Sequence, residues 1–169
     1  VTERMRPEGV AHAPLDLSSL DAAIDTLKAA EVTSVAVCYL HSYKNATHEQ
    51  ATRARLEERV PGVSISLSSE VFPEIKEYER VSTTVVNAYV RPVVEKYLTN
   101  LETRLKEAGF AGSVLIILSH GGVAPIPEAI RLAAATVLSG PAGGVAGSRH
   151  GSALIGAKDL VPFDMGGTS

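Results

Sequence analysis

The sequence predicts an α/β fold with a doubly wound sheet, and three observations lead to this prediction. An amphipathic helix is followed directly by the apolar, β-branched run Val32–Leu40, which is typical of a strand buried on both faces. A second helix and strand then follow in the same order. Further along, two apolar segments end in glycine-rich turns, and open α/β sheets bind their ligands at the carboxyl ends of strands.

Composition excludes several classes of protein. The chain has 169 residues, 45% of them hydrophobic, which is enough for one sizeable core or two partial ones. A net charge of -3 with 16 Lys and Arg gives no basic surface for nucleic acid. A single cysteine excludes internal disulfides, and no long apolar run predicts a membrane span. These features predict a cytoplasmic protein, in which Cys38 is a core residue rather than a catalytic thiol.

The first half of the chain predicts two helix–strand pairs. Ser18 is a suitable cap for a helix that continues to Ala30. Thr47 and Gln50 match a capping box for a helix that ends near Arg59. The segment 63–67 alternates aliphatic residues with serines, which predicts a strand with one wetter face near a sheet edge. His41 and Ser42 follow the first strand, where a structural hydrogen-bonding role is favoured for the histidine.

The longest predicted element is a helix from near Ser82 to Gly109. Its apolar stripe includes Val81, Val85 and Tyr89, and about 25 residues would span close to 40 Å. Pro92 is expected to kink or break it. Arg80 and Asn87 are interpreted as a solvated face. This helix is expected to link two α/β domains, so the predicted organisation is 1–77, the end of a first domain; 78–110, the linking helix; and 111–169, the start of a second.

A short apolar strand, 114–118, precedes Ser119-His120-Gly121-Gly122. Two interpretations remain open for this segment. It can be a plain turn between a strand and a helix, or it can lie beside bound substrate or phosphate at the sheet edge.

The glycine-rich segment Ser139–Gly151 predicts a helix with Gly140 as N-cap and Pro141 at its first position. Gly143, Gly147 and Gly151 recur every four residues and form a bare stripe. Each glycine costs a helix about 1 kcal/mol relative to alanine, so close packing must compensate. The approaching group is either another helix or strand, or a nucleotide at the helix start.

The last ten residues predict a strand, Leu160–Phe163, that delivers Asp164 and then paired glycines and hydroxyls. Glycines let backbone N–H groups surround an anion, and a carboxylate at a strand end can hold a hydrated metal. The pattern therefore favours a phosphate site, although the same residues also form ordinary turns.

These segments together resemble the hydantoinase A and 5-oxoprolinase family, which shares the actin, sugar-kinase and Hsp70 type of ATPase fold. S-G-P-A-G-G-V-A-G is followed about twenty residues later by F-D-M-G-G-T-S. Further matches to the family, in the same order along the chain, are A-V-C-Y-L-H-S-Y from Ala36, Y-E-R-V-S-T-T-V-V-N-A-Y-V from Tyr78, and Ser119-His120-Gly121-Gly122.

The resemblance implies ATP-dependent opening of a cyclic amide, a hydantoin or 5-oxoproline, by phosphoryl activation. Alternatives are a subunit of an acetone- or acetophenone-type carboxylase and a non-catalytic nucleotide-binding module. The resemblance also implies ATP and Mg as cofactors, no nucleic-acid partner, and a second subunit of the hydantoinase B type or a fused equivalent.

The resemblance also assigns site residues. Asp164 would be catalytic, either holding Mg through water or orienting the attacking group. The implied nucleotide-binding residues are Gly166, Gly167, Thr168, Ser169, Gly140, Pro141, Gly143 and Gly144. The implied residues on the substrate or phosphate side are Ser119, His120, Gly121 and Gly122. Family members are several hundred residues long and carry a first phosphate loop, D-x-G-G-T-F-T-D, that these 169 residues lack, so the chain is expected to be an internal piece of a larger protein.

Overall fold

A computed structural model describes residues 1–166 and divides the chain into two compact units, 1–92 and 93 onward. The α/β class is confirmed, because helices and strands alternate through most of the chain. The elements in chain order are β1 Arg4–Met5, β2 Ala11–Ala13, α1 Leu17–Ala29, β3 Ser34–Val37, α2 Thr47–Arg59, β4 Ser64–Leu67, α3 Ser68–Val71, α4 Glu77–Glu107, β5 Leu115–Ile117, β6 Val123–Pro125, α5 Ile126–Arg131 and α6 Ser139–Ile155.

The centre of the first unit is a parallel pair of strands, β3 and β4, joined by the crossover helix α2. Val35 and Val37 of β3 and Ile65 and Leu67 of β4 pack on one face against Leu20, Ile24 and Leu56 of α1 and α2. The other face carries small residues. There Ser34 Oγ donates to Ala88 O of α4 at 2.6 Å, so the small side chains allow the long helix to approach closely. A short antiparallel hairpin, β1–β2, precedes this sandwich.

Both predicted helix caps are displaced by a few residues. Asp16, not Ser18, is the N-cap of α1, and its Oδ1 accepts from Ser18 N–H at 2.9 Å. No capping box forms at α2. Instead Asn45 Oδ1 accepts from Thr47 N–H at 3.0 Å, so the side-chain acceptor lies two residues before the predicted cap. Asp and Asn are strong cap residues, and the sequence places them just outside each apolar pattern.

The prediction that the serine face of β4 is exposed to solvent is wrong, since Ser66 is only 1% exposed. Asn87 Nδ2 of α4 donates to Ser66 Oγ at 3.0 Å. The period-2 pattern correctly predicts a strand, but it marks a face that packs against a polar stripe of α4 rather than against water.

The long helix α4 contains 31 residues and is not broken at Pro92. In the first half of the helix the buried face is the reverse of the predicted one, whereas Leu98 further along the predicted stripe is buried as expected. Arg80 and Asn87, interpreted as solvated, are 1% and 0% exposed, whereas Val85 and Tyr89 of the predicted buried stripe are 52% and 83% exposed. The serine-bearing face of the strand pair offers hydrogen bonds, and these select the polar side of the helix.

The second unit is organised around an antiparallel hairpin, β5–β6. Its core combines Leu118, Ala124, Ile126 and Ala129 with Leu98 from the last turns of α4. The predicted strand Leu160–Phe163 is not formed: within residues 1–166 this segment has no regular structure, and a strand requires a pairing neighbour. No helix within residues 1–166 has the length and apolarity needed to cross a bilayer.

Candidate functional site

The carboxyl ends of β3 and β4 meet around the buried carboxylate of Glu49, on α2. Its Oε1 accepts from Tyr39 N–H at 3.0 Å and from Ser68 Oγ at 2.6 Å, and its Oε2 accepts from Ser69 N–H at 2.9 Å. Glu49 is 0% exposed. One carboxylate therefore joins the two strand ends through their backbone N–H groups, which gives this sheet edge a fixed geometry.

The guanidinium of Arg80 completes this cluster from the α4 side. Its Nη1 donates to Tyr39 O at 2.9 Å, Ser42 Oγ at 2.7 Å and Ser68 Oγ at 2.6 Å. Ser68 lies between the two charges, because its hydroxyl contacts both Glu49 and Arg80. A buried cation and a buried anion are thus compensated through a shared serine rather than by direct contact.

The same sheet edge carries three further groups of chemical interest. Burial raises the pKa of the Cys38 thiol, so it is protonated at neutral pH and is a weak nucleophile. Burial likewise raises the pKa of Tyr39. His41 adopts a left-handed backbone conformation, φ 59°, and its ring packs edge-on against Tyr43 with centroids 6.0 Å apart. Neither Cys38 nor Tyr39 is therefore an activated nucleophile at neutral pH.

The segment Ser119–Gly122 connects β5 to β6, so the predicted plain turn into a helix is wrong. Gly121 N–H donates to Leu118 O at 2.8 Å, and Gly121 has a positive φ of 82° that favours glycine. His120 Nδ1 lies 3.2 Å from Gly122 N–H and accepts from it. The hairpin turn thus fixes the imidazole ring of His120, which is exposed.

The nucleotide-binding residues predicted at the start of α6 lie in its first turns. Leu138, in the left-handed region at φ 60°, occupies the N-cap position that was predicted for Gly140. Gly143 packs closely on β5: a Cβ built there would lie 3.1 Å from Ile117 Cδ1. A Cβ built on Gly147 or Gly151 would have no neighbouring atom within 4 Å. Close packing against a strand therefore explains Gly143, and it places the helix start beside the strand that leads into the hairpin turn.

Asp164 and Gly166 lie in the exposed segment that follows α6. Asp164 makes no side-chain hydrogen bond or ion pair with the rest of residues 1–166, so its carboxylate oxygens are available to a ligand. Gly167, Thr168 and Ser169 lie outside the described residues. Within residues 1–166, no hydrogen bond or ion pair joins Asp164 to Ser119–Gly122 or to Gly140–Gly144. No group of three or more potential metal-ligating residues occurs within residues 1–166.

Sequence reasoning missed the Glu49–Arg80 cluster. A signal was present, since Arg80, Thr84, Asn87 and Arg91 recur at three- and four-residue spacing and so form one polar stripe on α4. Helix amphipathicity instead favours the apolar stripe beside it as the buried face.

Comparison with protein-family models assigns most of the chain. Residues 80–169 match the hydantoinase/oxoprolinase model, and residues 1–60 match the model of the hydantoinase/oxoprolinase N-terminal region.

Individual relatives and a solved structure are similar to this chain over most of its length. The chain is 35% identical to the caprolactamase subunit alpha of Pseudomonas jessenii, over 98% of this chain and 24% of that protein. It is 35% identical to the 5-oxoprolinase of Saccharomyces cerevisiae, over 91% of this chain and 12% of that protein. A nucleotide-free acetone carboxylase structure superimposes with a TM-score of 0.82 and 29% identity, covering 91% of this chain and 22% of that one. The chain thus spans a quarter or less of the length of these proteins.

Proposed function

Because this chain belongs to the hydantoinase/oxoprolinase family, we propose that it forms part of an ATP-dependent hydrolase that opens a cyclic amide by phosphoryl activation. The observation that carries this proposal is the match to caprolactamase, whose named substrate is a cyclic amide, along nearly the whole chain. In the proposed enzyme, residues 1–77 end one doubly wound, actin-like domain, 78–110 link the domains, and 111–169 begin the second. We place this enzyme in the cytoplasm.

In this proposal the segment from Asp164 would hold the phosphates. The backbone N–H groups of Gly166 and Gly167 would surround the anion, together with the hydroxyls of Thr168 and Ser169. Asp164 fits Mg²⁺, because this metal is commonly held by one or two carboxylates together with phosphate oxygens and water, and this carboxylate is exposed and has no competing partner within residues 1–166. ATP, when bound, would supply the phosphoryl group that converts a poorly reactive amide oxygen to a phosphorylated leaving group, with release of ADP.

The remaining predicted residues complete the cleft. Gly143 brings the start of α6 against β5, and in this proposal the first turn of that helix, with the N–H group of Gly140, faces the phosphates. Gly144 lies one turn further on, where its missing side chain would leave room for the nucleotide. Pro141 lacks an N–H group, and in the first turn of a helix this loses no intrahelical hydrogen bond. The His120 ring, oriented by Gly122 N–H in the adjacent turn, is available with Ser119 and Gly121 to face the substrate or its phosphate.

A carboxylase is the second candidate function, favoured by the TM-score of 0.82 with acetone carboxylase. In that case the phosphoryl group activates a ketone or bicarbonate instead of an amide. Either function agrees with a multi-subunit enzyme, since the caprolactamase relative is itself named as a subunit. We therefore expect a second subunit of the hydantoinase B type, or a fused equivalent.

The decisive assay measures ADP release by the complete polypeptide and its partner subunit, with hydantoin, 5-oxoproline or caprolactam as substrate. The proposal predicts release that depends on the cyclic amide and needs no bicarbonate. Release that requires bicarbonate and a ketone would instead establish the carboxylase, and no release with either substrate class would refute both.

Asp164→Ala should abolish this turnover while leaving the circular dichroism spectrum unchanged, because the side chain is exposed and has no structural partner among residues 1–166. Asp159→Ala is the matched control, since Asp159 is an exposed carboxylate of the same segment without an assigned role. Retained turnover in Asp164→Ala would show that this carboxylate only forms a turn.

A further inference from the structure

The long helix α4 contains a proline in its interior, and that proline removes one hydrogen bond from the helix. Pro92 has no N–H group, so the carbonyl oxygen of Ala88, four residues earlier, receives no intrahelical bond from it. Ala88 is only 6% exposed, so solvent is largely excluded from this turn. A buried carbonyl without a partner destabilises a helix, and α4 nevertheless continues without interruption to Glu107.

A hydroxyl group from the neighbouring strand supplies the missing donor. Ser34 Oγ of β3 donates to Ala88 O at 2.6 Å, although the two residues lie far apart in the chain. Serine and threonine hydroxyls are one means by which proteins satisfy a carbonyl that a proline has freed. In a helix without the proline, Ala88 O would already be paired, so Pro92 explains why this serine finds an acceptor there.

The bond belongs to Ser34 and not to serines of this face in general. Ser64 lies opposite Ser34 in the parallel strand pair, so the two side chains share the face that α4 covers. Ser64 Oγ is nevertheless buried without a hydrogen-bond partner within residues 1–166. Of these two serines, only Ser34 is matched to a freed carbonyl, and Ser64 therefore serves as an internal control.

The turn from Ala88 to Pro92 is also where the first compact unit ends, at residue 92. A groove of about 490 Å³ lies beside this turn, and its lining includes Ser34, Ala88, Tyr89 and Pro92. The helix therefore has free space on one side of the turn. A missing intrahelical bond, a single external donor and room for movement coincide at this position.

We propose that the turn from Ala88 to Pro92 is a joint in the linking helix and that the Ser34 hydroxyl is its latch. With the bond made, α4 is one continuous helix. With the bond broken, Ala88 O is left buried and unpaired, and the turn opens toward the groove, where water reaches the carbonyl. In the proposed enzyme this joint would lie in the helix that links the two domains, a step that rests on the proposed function. Its tests need no nucleotide, so their failure would leave that function standing.

Amide hydrogen exchange in the complete polypeptide measures the opening of the joint. Ser34→Ala should speed exchange of the amides just after the proline, from Val93 to Lys96, by about tenfold, because a buried carbonyl loses its partner. Ser64→Ala, the matched control, should change the rates by less than about twofold, since its hydroxyl has no partner to lose. Ser34→Thr keeps the hydroxyl and should keep exchange slow.

Replacing the proline gives the decisive comparison. In Pro92→Ala the new N–H group donates to Ala88 O, so adding Ser34→Ala should then change the exchange rates by less than about threefold. Equal acceleration by Ser34→Ala with and without the proline would show that the serine only packs against the helix. That result would overturn the latch, as would unchanged exchange in Ser34→Ala.

Pulsed electron spin resonance tests whether α4 bends at the joint. Spin labels at Glu79 and Arg104, both exposed, in a background free of other cysteines, bracket the turn. At about 1.5 Å per residue, these positions lie about 38 Å apart in a straight helix. We expect a narrow distance distribution with Ser34 present, and a broader one in Ser34→Ala that narrows again when Pro92→Ala is added. A distribution that stays narrow in Ser34→Ala would refute the joint.

Discussion

Replacing Arg80 by methionine should destabilise the first unit far more than any exposed arginine substitution. The change removes three hydrogen bonds from a side chain that is 1% exposed and leaves the carboxylate of Glu49 buried without a compensating cation. Breaking a buried charge pair in this way costs about 3–5 kcal/mol. With a urea m-value of about 2 kcal/mol/M, the unfolding midpoint should fall by about 2 M.

Arg53→Met is the matched control. Arg53 makes a two-bond pair with Glu70, at 2.7 and 2.5 Å, but both side chains are about a third exposed. Such a pair contributes up to about 1 kcal/mol, which corresponds to about 0.5 M in midpoint. Urea unfolding followed by far-ultraviolet circular dichroism compares the two variants directly.

A double-mutant cycle identifies the cause. Glu49→Gln combined with Arg80→Met removes both charges, so the double variant should be less destabilised than the sum of the two single variants. If Arg80→Met shifts the midpoint no further than Arg53→Met, or if the two effects simply add, then charge compensation through Ser68 does not stabilise this sheet edge.

The remaining predictions concern acid stability, helix packing and thiol reactivity. Hydrogen bonds from Arg55 and Arg59 lower the pKa of Asp21 in the folded state. The ionised carboxylate therefore stabilises the fold above the unfolded pKa of 3.8, and this contribution is lost as the pH falls below it. Asp21→Asn should flatten the acid side of a curve of unfolding free energy against pH. Gly147→Ala should stabilise α6 by up to about 1 kcal/mol, because the new Cβ would meet no neighbouring atom. Gly143→Ala should stabilise the helix less, or destabilise it, because the new Cβ would press against Ile117. Thermal unfolding of the two variants ranks their stabilities. The Cys38 thiol should react with a disulfide reagent more slowly at pH 7 than a free cysteine, because burial raises its pKa, and a rate equal to that of free cysteine would contradict this.

Local sequence patterns predicted the elements of the first unit well, because their cause is local. The β-branched run before Leu40 and the alternation from Val63 to Leu67 each correspond to an observed strand, β3 and β4. Which face of an element is buried depends on its neighbour, and this was not available from periodicity. The face of α4 that bears Arg80 is buried because it meets serines at the strand pair, and one of them, Ser68, also bonds to Glu49.

The second unit illustrates the same limit. A short apolar segment before Ser119 predicts a strand, but only the pairing partner decides between a parallel strand and the observed hairpin. The stripe from Gly143 predicts a close approach, and the structure identifies Ile117 as the group approached at Gly143. The role of Asp164 depends on a bound ligand, so it remains a prediction.

Calorimetric titration of Mg-ATP into the complete polypeptide, alongside its Asp164→Ala variant, is the sharpest test of the proposed nucleotide site. We expect saturable binding that the substitution weakens strongly, and weak or no binding by the 169-residue chain alone. No binding by the complete polypeptide, or equal binding by wild type and variant, would contradict the proposed nucleotide site.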